Sequence, residues 1–165
     1  MEKETTQLNL VVKMALSAWE SQNKYLTKLI ESLSDEQLMK EIAPGRNTGI
    51  YLLGHLIAVS DALFPLLGFS DRLYPELDEV FIKNPDKSGL PMPTIAELKE
   101  KLEAVNAKLE TVFQTTSVDE WLERHTAVSA EDFANEPHRN KLNVLLNRTG
   151  HMANHIGQML LLKYK

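Results

Sequence analysis

Apolar residues recur along most of this chain at steps of three and four, and strand-like alternation is almost missing. Helical spacing therefore organises the reading. Leu8, Val11, Val12, Ala15, Leu16, Trp19, Leu26, Leu29, Ile30 and Leu33 form one stripe, predicting a first helix over 8–32. Ser34-Asp35-Glu36-Gln37 reads as a cap opening a short turn through Met39, and Pro44-Gly45 marks a loop. Asn47 or Thr48 can cap a second, strongly apolar helix running to about Leu67, with Pro65 ending or kinking its last turn. A long connection over 70–93 follows, holding Pro75, Pro85, Gly89, Pro91 and Pro93, with room for a helical turn over 76–81.

Thr94-Ile95-Ala96-Glu97 matches a capping box before a third long helix, whose stripe is Leu98, Leu102, Val105, Leu109, Val112 and Phe113. Ser117-Val118-Asp119-Glu120 repeats the signature ahead of a short helix with Trp121 and Leu122, and 129–140 reads as irregular and polar. Asn140 can cap a last helix running almost to Lys165. The expected fold is all-α: a four-helix bundle in one domain over 1–165, with a long connection between the second and third long helices.

Composition narrows the chemistry. With 165 residues, 43% of them hydrophobic, the chain can bury a core without disulfides. It has no cysteine, which removes thiol nucleophiles and cysteine-based metal sites and suits the cytoplasm. A net charge of −5 without a Lys/Arg cluster predicts neither a nucleic-acid nor an anionic-membrane partner. The apolar stretch 50–69 contains His55, Ser60, Asp61 and Pro65 and lacks basic flanks, so it reads as a buried core helix.

The clearest chemistry lies in the last helix. His151 and His155 stand four apart and so project from one face. Leu142, Leu145, Leu146, Thr149, Met152, Ala153, Ile156, Met159 and Leu160 make one apolar face, while Val144, His151, His155 and Leu162 run along a second line. A helix apolar on two sides is expected to be mostly surrounded by protein. His55 sits on an otherwise apolar line of the second helix beside Gly54, which permits close approach. Taken singly, such a histidine is more often a satisfied core residue. Together with the pair it makes a candidate triad for one divalent ion, with imidazole suiting zinc, nickel, iron or copper. The metalloprotease motif needs Glu directly after the first histidine, where this chain has Met152. Gln158, Tyr51 and Arg148 are weaker candidates for contact with ligand or substrate, each with a structural alternative. His125 and His138 read as solvated loop residues, and Trp19 and Trp121 as packing.

Gly54-His55-Leu56 after Leu52-Leu53, with His151-x-x-x-His155-Ile156-Gly157-Gln158 downstream, resembles the DinB-like superfamily of helical bundles, and the similarity extends over most of the chain. The resemblance implies a mononuclear divalent-metal site at His55, His151 and His155, with zinc, nickel or iron as the ion. It also implies frequent homodimers. Relatives include transferases and isomerases that use low-molecular-weight thiols such as bacillithiol or mycothiol, and others described as metal-dependent hydrolases. The expected function is a metal-dependent enzyme acting on a small molecule. Its rival is a non-catalytic metal-binding or stress-response bundle.

Overall fold

The helices begin and end where side chains can take over the orphaned backbone groups of their ends. The computed structural model describes residues 2–164 and contains α1 (Glu2–Ser32), α2 (Asp35–Leu38), α3 (Gly49–Asp61), α4 (Leu63–Leu66), α5 (Leu77–Phe81), α6 (Ile95–Thr115), α7 (Val118–Trp121), α8 (Ala130–Asn135) and α9 (Lys141–Met159), followed by a 3-10 turn, Leu160–Tyr164. Ser34, Thr94 and Ser117 each form a full capping box, with Gln37, Glu97 and Glu120 reaching back to the cap backbone. Thr48 and Asn140 cap α3 and α9 through their side-chain oxygens. Among the described residues there is no strand, only two isolated bridges.

The four long helices, α1, α3, α6 and α9, form the bundle. α1 lies on α9, α9 on α3 and α3 on α6. An aromatic cluster joins α6 back to α1, with the Phe113 and Trp19 rings 4.8 Å apart edge-on and Trp121 of α7 5.1 Å from Phe113. Both tryptophans are buried, as a packing role requires. The core is one contiguous cluster from Val12 to Leu162. The segment 49–66 is long and apolar enough to cross a membrane, yet it is mostly buried inside this bundle.

Three expectations need correction. Residues 129–140 are not wholly irregular, because Ser129 caps the short α8 by accepting from Asp132 N–H. Pro65 does break the second helix, but earlier than its last turn: it has no N–H for the Asp61 carbonyl, so α3 ends at Asp61 and the chain resumes as α4. Finally, α9 is not surrounded, since Asn147, Gly150, Asn154 and Gly157 line an exposed face and Leu146 is exposed as well. Leu8 and Val11 of the α1 stripe are also exposed.

Two features fix the long connection to the bundle. The fully buried Asp61 carboxylate accepts from Leu73 N–H at 2.7 Å, Tyr74 N–H at 3.0 Å and Arg72 Nε at 3.0 Å. Arg72 also bonds the Asp78 carboxylate and the Ala58 carbonyl. Gly54 supplies the second. A Cβ there would meet the Phe81 ring at 2.3 Å, so only glycine lets α5 lie this close to α3. Gly54→Ala should lower stability by about 1–3 kcal/mol, as overpacking does, readable as a fall in the thermal unfolding midpoint.

Candidate metal centre

Because α3 packs on α9, His55 meets the pair His151 and His155. His155 Nε2 lies 3.1 Å from His151 Nε2, and His55 Nε2 lies 3.3 Å from the same atom. All three ligand nitrogens lie within 4.8 Å of one another. Each ring is only partly buried, so the cluster borders solvent.

The outer nitrogens decide which atoms face inward. His55 Nδ1 is 2.8 Å from the Phe81 carbonyl, which can only accept, so this nitrogen carries the proton. His155 Nδ1 is 2.9 Å from Gln158 Oε1, while the Gln158 amide nitrogen donates to Asn154 Oδ1 at 3.2 Å. In this orientation Gln158 Oε1 accepts from His155 Nδ1, which leaves His155 Nε2 with its lone pair. Both Nε2 atoms then point lone pairs at His151 Nε2, which could donate to only one of them. Histidines oriented through the other nitrogen by a carbonyl are the usual outer arrangement of a metal site.

The electrostatics favour the neutral, ligating form of His151 and His55. Burial, with help from His155, His55 and Arg148, pushes His151 down to about 4. Burial also lowers His55, although its bond to the Phe81 carbonyl partly opposes this. At Zn–N distances of about 2.0–2.1 Å, neighbouring nitrogens of a tetrahedral or right-angled site stand about 2.9–3.4 Å apart. The contacts of 3.1 and 3.3 Å fall in that interval. Among the described residues no carboxylate joins the group.

The other candidates divide. Gln158 sits against His155. Tyr51 does not turn its hydroxyl to the histidines but donates to the Asn84 carbonyl at 2.7 Å, on the side of the long connection. Arg148, one turn before His151, is partly buried and close enough for its charge to act on His55 and His151. His138 is exposed as expected, whereas His125 is partly buried with Nδ1 shut from solvent and unpartnered. The acceptor that orients His55 escaped the sequence reading, since a backbone carbonyl has no residue signature. Its one trace was Gly54, the mark of a close approach.

Gln158 offers a direct test. Gln158→Ala should weaken divalent-metal binding about 10–100-fold, the usual effect of losing such an orienting partner, in a competition titration against a chromophoric chelator.

A family model described as the DinB superfamily matches residues 18–159. A crystal structure of a conserved protein from Enterococcus faecalis superposes with a TM-score of 0.63 at 17% identity, covering 94% of this chain and 98% of that one. At that identity the likeness concerns the fold. No curated protein matches the chain.

Proposed function

This chain belongs to the DinB superfamily, and from that premise we propose that it holds one divalent metal ion through His55, His151 and His155 and acts as a metal-dependent enzyme on a small molecule. The observation that carries this reading is the convergence of three Nε2 atoms, with His55 held by the Phe81 carbonyl and His155 bonded to Gln158 through their outer nitrogens. Three nitrogen ligands at a solvent border leave coordination positions free, which favours a catalytic over a closed structural site.

Zinc, nickel or iron would suit the donor set and, when bound, supplies Lewis acidity that lowers the pKa of a coordinated water or thiol. The chain's own residues hold and orient. His55 is pinned by α5 and His155 by Gln158. With no carboxylate in the histidine group among the described residues, none is positioned there as a general base. Transfer of a small thiol to an electrophile fits this arrangement, and so does hydrolysis of a small substrate.

Chelator-stripped protein titrated with zinc, nickel or ferrous ion should saturate near one ion per chain and gain thermal stability as it does so. Metal-loaded protein should then accelerate either the coupling of small thiols to an electrophilic dye or the cleavage of simple esters, and stripped protein should do neither. Lack of stoichiometric uptake would sink the metal reading. Uptake without either reaction would favour the non-catalytic alternative.

A further inference from the structure

Among the described residues Arg148 is a cation without a partner. Other partly buried cations are matched: Arg72 by Asp61 and Asp78, Lys141 by Glu123. Among the described residues no carboxylate or carbonyl accepts from Arg148, and its Nε is shut from solvent with no hydrogen bond. Only Nε is fully shut away, so the rest of the guanidinium fork reaches open space. The residue lies three positions before His151 and seven before His155, on the line of α9 that carries the histidines.

A charge in this position helps nothing already described. Desolvating an unpaired guanidinium opposes folding, and a second positive centre repels a metal cation. An anionic ligand removes both penalties at once. It would meet a planar fork suited to two parallel bonds with an oxyanion, on the helix line that carries His151 and His155.

We propose that Arg148 is the anion-recognition arm of this site, and that the substrate carries a carboxylate or phosphate which docks on the guanidinium while its reacting atom lies at the histidines. The second half rests on the metal-centre reading; the first does not.

Calorimetric titration of stripped and zinc-loaded protein with acetate, methyl phosphate and neutral acetamide tests it. Wild type should bind at least one anion in both forms and should not bind acetamide. Whichever anion binds more tightly identifies the group. Arg148→Met should weaken that binding at least tenfold, while Arg148→Lys, which keeps the charge without the fork, should retain part of it. Zinc stoichiometry should be unchanged in Arg148→Met, and its stripped form should melt about 2–4 °C higher, the shift expected when a modest penalty is relieved in a chain of this size. Undiminished anion binding in Arg148→Met, or none in wild type, overturns the proposal. So does a lower melting point in Arg148→Met, which would make Arg148 a structural residue. Failure of wild type to take up zinc counts against the metal centre alone, because the stripped protein still reports on Arg148.

Discussion

His151→Ala should yield a protein that folds like wild type and no longer retains a metal ion. Structural zinc sites with four protein ligands bind with roughly 10–16 kcal/mol, so one imidazole is worth roughly 3–4 kcal/mol. Losing it should weaken binding by about 10²–10³-fold. His151 is the central donor, since its Nε2 touches both of the others. The metal-free fold has little to lose. The ring is partly exposed, its Nδ1 lacks a partner, and its neutral state reflects burial and nearby positive groups rather than a favourable bond. Stripped wild type and stripped His151→Ala should therefore differ by no more than about 1 kcal/mol, the scale of an ordinary single substitution. Competition against a chelator gives the affinity, and thermal unfolding of both stripped proteins gives the stability. A large fall in stability with unchanged metal affinity would make His151 a packing residue and remove the centre from this protein.

That contrast bears on what the sequence could disclose. The four-residue spacing of His151 and His155 is a one-helix property, and periodicity places it on one face without knowledge of the rest of the chain. His55 was legible because a lone imidazole on an apolar line beside Gly54 asks for a reason. What pins His55 was not. The acceptor is the main-chain carbonyl of Phe81, 26 residues away, and it arrives only because α5 folds back onto α3. Periodicity also identifies faces without saying what covers them. Leu8, Val11 and Leu146 continue regular stripes and yet lie at the surface. Capping signatures served better, because a cap is made within four residues. Ser34, Thr48, Thr94, Ser117 and Asn140 all act where the pattern put them, while Ser129 escaped notice because Asp132, not Glu or Gln, stands three residues on and completes no capping box.

Asp61 is the residue whose role changed most. In the sequence it argued only against a membrane helix. In the fold it is fully buried and satisfies two backbone amides and Arg72 at the start of the long connection. Asp61→Ala should strand the Arg72 guanidinium, itself little exposed, together with both amides. Breaking a buried pair from one side costs about 3–5 kcal/mol, so the unfolding midpoint should fall by roughly 10 °C for a chain of this length. The loss should also reach the histidines. Arg72 ties Asp61 to Asp78 within α5, and α5 ends at the carbonyl that orients His55. Metal affinity should fall about tenfold, the lower end of the effect of losing an orienting partner. The double variant Asp61→Ala/Arg72→Met removes the stranded cation and should recover part of the stability, because deleting both members of a buried pair is milder than deleting one. It should recover none of the metal affinity, since the tether to α5 is still cut. If Asp61→Ala melts close to wild type, the carboxylate does not fasten the connection. If the double variant regains metal affinity along with stability, α5 holds its place by the Phe81–Gly54 contact alone.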